Sequence, residues 1–261
     1  MQQLTLDEIK PRLNALLLEL KEVFEEHNLT YSLSGGTMLG AVKYKGFIPW
    51  DDDIDLFMPR EEFNKLVELA REGKLKNILH CNELNKKYKL PFGRYAETAT
   101  VMKIKGKRTG RVGLHIDIFP VDGMGNDKKM ARKKWLKIKR LHRLNYWLCT
   151  PLSIKWLWLI PPFTPLFFMQ RFIFNRMVKI AKNESYDNSD YVTLRSLHNK
   201  LVPKELFAEQ TKLEFEGAMY SAPKKYMEYL ALKYGANFME PLPVRKQKNH
   251  GYKVFLIDEF S

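Results

Sequence analysis

The chain of 261 residues has little cysteine, no long uninterrupted apolar run and, over one long stretch, no acidic residue. Its two cysteines, Cys81 and Cys149, are too few for a disulfide framework, which favours a reducing, cytoplasmic setting. The spacing of Cys and His matches no typical metal site, and no internal repeat is present. Residues 1–4 lack the basic and apolar regions of a signal peptide.

Acidic residues are missing from residues 128–183, where fourteen Lys and Arg occur. The whole chain has 44 basic and 30 acidic residues, so the remainder balances at 30 against 30 and the net charge of +14 lies in this segment. Nine of these basic residues fall within residues 128–143, which predicts a basic helix with Ala131, Trp135 and Ile138 on its apolar stripe. The segment also holds four of the five tryptophans: Trp135, Trp147, Trp156 and Trp158.

An aromatic run at residues 156–169 follows the basic helix and is interrupted by three prolines. Only fifteen uncharged residues separate Lys155 from Arg171, too short and broken a run for a transmembrane helix. Tryptophan, basic residues and a short apolar segment instead favour peripheral binding at the inner face of an anionic membrane. The alternative is a helical subdomain whose apolar side packs internally. Nucleic acid, which could also attract a basic patch, is the less favoured partner.

A glycine pair followed by threonine is the first sign of chemistry. Residues 30–33 are β-prone and stop at Gly35 and Gly36, where a turn is favourable, and residues 38–42 are expected to open a helix. Thr37 and the backbone N–H groups after it are then placed to face an anion such as phosphate.

Four aspartates in five positions, residues 51–55, lie between two apolar tripeptides. In a strand, Asp53 and Asp55 point to the same face. Two such carboxylates repel each other, and a divalent, oxygen-preferring cation relieves the repulsion. The alternative is an acidic turn with Asp51 and Asp52 in solvent, but charge in so apolar a segment costs on the order of several kcal/mol unless it is compensated.

A third acid is expected from a neighbouring strand, because metal-dependent phosphoryl transfer commonly uses one to complete the metal site or to accept a proton. Residues 113–120 alternate between an apolar face and a face with His115, Asp117 and Phe119. Asp117 is therefore the preferred candidate, and Asp122 in the following turn competes with it.

Two helices are predicted around these motifs. Thr5 and Glu8 form a capping box ahead of a long amphipathic helix, and a second helix is expected between Pro59 and Gly73. Helices and strands in this order predict an α/β (α+β) fold.

The motifs resemble those of the LicD family, which comprises choline-phosphate transferases of bacterial surface glycans and is related to the fukutin group. Residues 36–40, 46–55 and 116–120 carry the resemblance, and residues 234–239 and 245–250 also follow the family's pattern. The resemblance covers nearly the whole chain.

The resemblance implies a nucleotidyltransferase-like mixed sheet with flanking helices. We expect a catalytic core at residues 1–127, a basic, Trp-rich helical insert at residues 128–183 and the C-terminal part of the fold at residues 184–261. The implied reaction moves phosphocholine from CDP-choline to a sugar hydroxyl of a lipid-linked precursor of teichoic acid or lipopolysaccharide and releases CMP. The implied cofactor is Mg²⁺ or Mn²⁺.

Site residues are assigned on the same basis. The family often has arginine at the position of Lys43, and lysine keeps the charge without the bidentate phosphate geometry. Trp50, Phe92 or Tyr95 could contact the quaternary ammonium, although each is more typical of a core residue. The predicted metal-binding and catalytic residues are Asp53, Asp55 and Asp117, and the predicted phosphate-binding residues are Gly36, Thr37, Lys43 and Arg94.

Other functions remain open at this point. A related enzyme would transfer the nucleotide itself, or another phospho-alcohol such as ribitol or glycerol phosphate from a CDP donor. A further alternative is a non-catalytic, membrane-bound glycan-binding module, but three acids in apolar strands argue against it.

Overall fold

The computed structural model describes residues 2–88, 90–104, 112–149, 165–194 and 200–257. The helices are α1 (Leu6–Glu26), α2 (Gly35–Tyr44), α3 (Arg60–Arg71), α4 (Lys128–Cys149), α5 (Pro165–Ala181) and α6 (Tyr226–Tyr234). The strands are β1 (Ser32–Leu33), β2 (Ile54–Pro59), β3 (Ile78–His80), β4 (Gly93–Ala96), β5 (Thr100–Ile104), β6 (His115–Gly125), β7 (Tyr191–Leu194), β8 (Lys200–Pro203), β9 (Gln210–Phe215), β10 (Ala218–Pro223) and β11 (Tyr252–Leu256).

A mixed sheet of seven strands forms the centre of the protein. Its order is β1-β2-β6-β4-β3, and β7 pairs with the far end of β6 and carries β8 on its other edge. β2 and β6 run parallel, whereas the other pairs in this sheet are antiparallel. β9 with β10 and β5 with β11 form two further antiparallel pairs. The predicted α+β class is confirmed.

The two helices predicted from capping signals are confirmed. The backbone N–H of Thr5 donates to the Glu8 carboxylate at 2.8 Å, and the buried leucines of α1 join the main core. α3 begins directly after Pro59, and Gly73 lies just beyond its end with φ +70°. A positive φ at this position is accessible to glycine at little cost, so Gly73 suits the helix end.

The β6 strand crosses the main core. Ile116 and Ile118 are fully buried on one face, as the alternation predicts, and His115 and Phe119 on the other face are also almost entirely covered. The strand is eleven residues long, so its first half pairs with β2 and β4 and its last residues reach β7.

α4 and α5 pack against each other and form a second, smaller core with the end of β6. The predicted stripe residues Ala131 and Ile138 are buried there, so this stripe packs internally. Trp135 is partly buried, and the Lys139 ammonium lies 5.0 Å from its ring centroid. Trp156, Trp158, the side chain of Trp147 and most of the proline-broken run lie outside the described residues.

Among the described residues, no helix combines the length and the apolar character that crossing a bilayer requires. The basic residues of α4 instead lie mostly on its exposed side.

Candidate active site

A row of polar side chains crosses four neighbouring strands. Asp55 on β2 is the register partner of Asp117 on β6, Asp117 is the partner of Arg94 on β4, and Arg94 is the partner of His80 on β3. Register partners project from the same face, and neighbouring strands are about 4.8 Å apart. The fold therefore brings Asp55 and Asp117 side by side, as a shared metal site requires.

Asp117 lies between the Arg94 guanidinium and the His115 ring. Arg94 donates from Nε to Asp117 Oδ1 at 2.9 Å, and His115 Nε2 lies 3.4 Å from the same oxygen. Burial lowers the pKa of His115 to about 4, so its ring is neutral at physiological pH. Arg94, predicted to bind phosphate, is thus directed at a carboxylate of the site.

The Asp51–Asp55 segment is held from the far end of the chain. His250 Nδ1 lies 2.9 Å from Asp52 Oδ1 and 3.4 Å from Asp53 Oδ2, and the backbone N–H of His250 also donates to Asp52. The hydrogen bond to Asp52, with the neighbouring carboxylates, raises the pKa of His250 to about 9. Asp52 is only 5% exposed, so it is not a solvated loop residue.

The glycine pair makes room for two of the carboxylates. A Cβ on Gly35 would lie 2.6 Å from Asp55 Oδ2, and a Cβ on Gly36 would lie 2.6 Å from Asp51 Oδ2. Both glycines are in the first turn of α2, where the unpaired backbone N–H groups favour negative charge. Gly35 also has φ +55°, and its N–H donates to the Tyr229 hydroxyl at 3.2 Å. The predicted phosphate role of Gly36 stays a prediction.

Thr37 fixes the position of Asp55. Its side-chain oxygen accepts the Asp55 backbone N–H at 2.8 Å, and the Asp55 carbonyl accepts the Ser34 N–H at 2.9 Å. Thr37 is only 3% exposed. The structure therefore gives this hydroxyl a positioning contact, and its contact with phosphate stays a prediction.

The carboxylates are buried together, which makes their ionisation unfavourable. Burial, followed by the charge of Asp55, raises the pKa of Asp53 well above its usual value. Burial also raises the pKa of Asp55 to about 7, although the nearby Lys233 opposes this, and burial raises the pKa of Asp51. Such an excess of acid is typical of functional sites.

The donor set fits a hard divalent cation. Asp51, Asp53 and His250 each offer a ligand atom within 4.8 Å of the others. Asp55 and Asp117, which are register partners, add two carboxylates whose charges act on Asp53. Carboxylate oxygens are the ligands that Mg²⁺ prefers, and a cation would offset the repulsion that raises the pKa values of these acids. His250 donates to Asp52, so the carboxylates remain the better candidates for metal binding.

A cavity of about 530 Å³ opens in front of the acids, a volume that suits a nucleotide-sized ligand. Lys43 lines it and donates to the backbone carbonyl of Glu240 at 3.1 Å. Trp50 also lines the cavity, whereas Phe92 and Tyr95 are buried in the core. Further lining residues come from the C-terminal part of the chain: Lys233, Tyr234, Asn237, Phe238, Lys248 and His250.

Asp122, the competing acid on β6, belongs to a different cluster. Arg60 on α3 donates to its two carboxylate oxygens at 2.7 and 3.1 Å. Arg60 also lies 3.6 Å from Glu83, which accepts from Lys182 at 2.7 Å. We call Arg60, Asp122, Glu83 and Lys182 the Arg60 cluster. Each acid in it has a cation.

Sequence reasoning gave no role to His250 or Lys233. His250 falls in a stretch that follows the family pattern, but no local spacing connects it with an acid about 200 positions earlier. Lys233 lies at the end of α6, which packs on α2 and brings the lysine to the cavity.

Comparison with known proteins identifies the type of domain that carries this site. Residues 28–155 match the family model described as LicD/FKTN/FKRP, nucleotidyltransferase domain. Residues 28–155 therefore form a LicD-type domain. The matched domain contains Asp53, Asp55, Asp117 and Arg94.

The chain is also similar to three individual proteins. The chain is 28% identical over 262 residues to the lipopolysaccharide cholinephosphotransferase LicD of Haemophilus influenzae, and the match covers 96% of this chain and 97% of that protein. A match of 47 residues is 38% identical to uncharacterized proteins of Rickettsia prowazekii and Rickettsia typhi. It covers 18% of this chain and 18% and 15% of those proteins. The match to the Haemophilus protein extends well beyond residues 28–155.

Proposed function

We propose that this protein transfers phosphocholine from CDP-choline to a sugar hydroxyl of a bacterial surface glycan precursor and releases CMP. The observation that supports this most is the side-by-side placement of Asp55 and Asp117 on parallel strands, with Asp55 and Asp53 lining a nucleotide-sized cavity. The full-length similarity to a lipopolysaccharide cholinephosphotransferase supports the choice of the transferred group.

In the proposed mechanism the carboxylates have two roles, cation binding and proton acceptance. A divalent cation, Mg²⁺ or Mn²⁺, held by Asp53, Asp55 and Asp117 would neutralise charge on the two phosphates and on the departing CMP. A carboxylate of this set also accepts the proton of the attacking sugar hydroxyl, and Asp117 is our choice for this role. Arg94 holds Asp117 in place through its hydrogen bond of 2.9 Å. Proximity and charge compensation are the main contributions of an enzyme to phosphoryl transfer.

The aromatic lining of the cavity suits the choline end of the donor. Trp50 lies among the lining residues together with Tyr44, Tyr234 and Phe238. A quaternary ammonium is attracted to the faces of such rings, an interaction that a ribitol or glycerol phosphate lacks. Trp50 is therefore the first of these rings to change when donor choice is tested.

Product analysis tests the reaction directly. The protein is incubated with Mg²⁺, a glycan acceptor and CDP-choline, CDP-ribitol or CDP-glycerol in separate reactions. We expect CMP and a phosphocholine-modified acceptor from CDP-choline alone. Free phosphocholine with a CMP-modified acceptor would identify a nucleotidyltransferase, and product from another donor would correct the phospho-alcohol. No nucleotide or Mg²⁺ binding in calorimetry would favour a non-catalytic glycan-binding module.

The exposed side of α4 supports a second part of the proposal, peripheral contact with an anionic membrane at its inner face. Because the stripe of Ala131 and Ile138 is buried against α5, it is not available to lipid. The exposed side instead combines lysines and arginines with apolar side chains, and Phe172 on α5 is 62% exposed. Basic and apolar groups together suit the surface of an anionic bilayer, where lipid-linked acceptors are held. Among the α4 side chains that the structure describes, the exposed apolar ones are Met130, Leu136 and Leu144.

Flotation with liposomes tests this contact. Reversing two exposed charges of α4, Lys133→Glu with Lys137→Glu, should abolish binding to vesicles with anionic lipid. The matched control reverses two exposed lysines far from α4, Lys74→Glu with Lys76→Glu, and should leave binding largely intact. Equal flotation of both variants would contradict a membrane role for α4.

A further inference from the structure

Lys233 brings an ammonium group to the edge of the acid cluster. A Cβ on Gly35 would lie 2.5 Å from Lys233 Nζ and 2.6 Å from Asp55 Oδ2, so both groups converge on the open side of that glycine. The Tyr229 hydroxyl, one turn earlier on α6, contacts Ser34 at 2.9 Å and Gly35 at 3.2 Å. These contacts fix the position of α6 against the glycine turn and therefore the position of Lys233.

Three other cations of the site have partners within the protein. Lys43 donates to the Glu240 carbonyl, His250 is directed at Asp52 and Asp53, and Arg94 at Asp117. Lys248 is exposed at the cavity rim.

Lys233 differs from these cations. Within the described residues, its ammonium has no hydrogen-bond acceptor and no carboxylate at ion-pair distance. Its charge lies near Asp55, beyond ion-pair distance, and 5.4 Å from the centroid of the Tyr234 ring. Lysine carries three donors, so this half-buried ammonium retains its hydrogen-bonding capacity for an anion in the cavity.

We propose that Lys233 binds a phosphate oxygen of the nucleotide donor and compensates the charge that builds up on the departing CMP. This inference rests on the proposed function and assigns to it a phosphate-binding residue outside residues 28–155, the part that matches the family model. The acids of the site repel a phosphate, so a cation beside them is needed in addition to any bound metal. Lys233 is the cation placed to provide it.

The simpler role for Lys233 is neutralisation of Asp55 alone, and a double-mutant cycle separates the two. Binding of CMP and of cytidine, which lacks the phosphate, is measured by calorimetry with Mg²⁺ and without acceptor, so no turnover is involved. The variants are Lys233→Met, Lys233→Arg, Asp55→Asn and the double variant Lys233→Met with Asp55→Asn. The control Lys225→Met removes a lysine from the opposite end of α6, where it pairs with Glu205 at 3.2 Å.

We expect Lys233→Met to weaken CMP binding roughly tenfold or more while cytidine binding stays unchanged, because one charge-assisted hydrogen bond is lost. Lys233→Arg should retain part of the preference for CMP, and Lys225→Met all of it. The loss should persist in the Asp55→Asn background. If Lys233→Met has no effect in that background, Lys233 only neutralises Asp55 and the inference is wrong. Wild-type protein that binds neither CMP nor cytidine would overturn the proposed function together with this inference.

Discussion

Asp117 and Asp122 lie five positions apart on β6, and each accepts a hydrogen bond from an arginine. Their surroundings differ. Asp117 lies beside Asp55 on the neighbouring strand, and the charges of both act on Asp53. Acids therefore outnumber directly paired cations there. Asp122 lies in the Arg60 cluster, where Glu83 contacts both Arg60 and Lys182. Two aspartates on the same strand thus differ in the charge of their surroundings, which is mainly negative around Asp117 and balanced around Asp122.

The pKa shifts in the two neighbourhoods have opposite directions. In the row of acids, burial and neighbouring carboxylates raise the pKa values of Asp53 and Asp55. In the Arg60 cluster, burial alone would raise the pKa of Glu83, but the ion pairs with Lys182 and Arg60 lower it below its usual value. A cluster that stabilises the fold balances its charges, whereas the candidate active site retains an excess of negative charge for a ligand to offset.

The largest effect on activity is expected from removal of one carboxylate of the candidate active site. Asp53→Asn should reduce phosphocholine transfer roughly a thousandfold while the fold stays intact, because in the proposed mechanism this carboxylate would help to hold the cation that stabilises the transition state. CMP release under saturating CDP-choline measures the loss. Asp187→Asn, at an exposed position away from the cavity, is the matched control. Activity within tenfold of wild type would contradict the metal assignment of Asp53.

Removal of a cation from the balanced cluster should affect stability instead. Arg60→Met leaves the Asp122 carboxylate buried without its partner, so the free energy of unfolding should fall by about 3–5 kcal/mol. Urea unfolding measures this. The double variant Arg60→Met with Asp122→Leu removes both charges and should be clearly more stable than Arg60→Met alone. Equal stability of the two would show that the buried carboxylate is not the cause.

Removal of a charge from the candidate site should raise the free energy of unfolding, whereas Arg60→Met should lower it. Because the pKa of Asp55 is raised to about 7, its ionised form is unfavourable in the folded state. In EDTA at about pH 8, Asp55→Asn should raise the free energy of unfolding by about 1–2 kcal/mol.

The sign of this pH dependence follows from linkage. A raised carboxyl pKa favours the folded state at low pH, and this contribution is lost as the pH rises through the folded value, so the gain from Asp55→Asn should shrink toward about pH 4. Urea unfolding at both pH values measures the effect. A variant less stable than wild type at about pH 8 would show that Asp55 stabilises the fold through Lys233.

Local sequence patterns predicted individual helices and strands and the acids that lie on them. Alternation placed Asp117 opposite its apolar neighbours on β6, and helical periodicity with caps predicted α1 and α3. These predictions depend on contacts within a few residues, which the sequence displays directly. The parallel pairing of β2 with β6 is different, because side-chain alternation does not specify a strand's partner.

Site residues that are distant from Asp53 in the sequence could not be predicted from local patterns. Lys233 and His250 reach the site through the packing of α6 and of the C-terminal segment, and no spacing near Asp53 indicates them. The stripe on α4 was predicted correctly, but its partner was not. A bilayer and the apolar side of α5 satisfy the same pattern, since both offer only an apolar surface.

The smallest expected effect concerns the link between α5 and the Arg60 cluster. Lys182 follows α5 directly and donates to Glu83 at 2.7 Å. Because Lys182 is partly exposed, Lys182→Met should lower the free energy of unfolding at neutral pH by at most about 1 kcal/mol. Lys179→Met, at an exposed position on α5, is the matched control.

The pH dependence identifies Glu83 as the partner. A carboxyl whose folded pKa lies below its usual 4.5 contributes stability above that value and loses it as the pH falls through the folded pKa. The difference between wild type and Lys182→Met should therefore be present at neutral pH and vanish once Glu83 is protonated in both proteins. Urea unfolding from about pH 7 to about pH 3 measures it. A difference that persists at the acid end would assign the effect of Lys182 to packing, and the charge balance of the cluster would then rest on Arg60 alone.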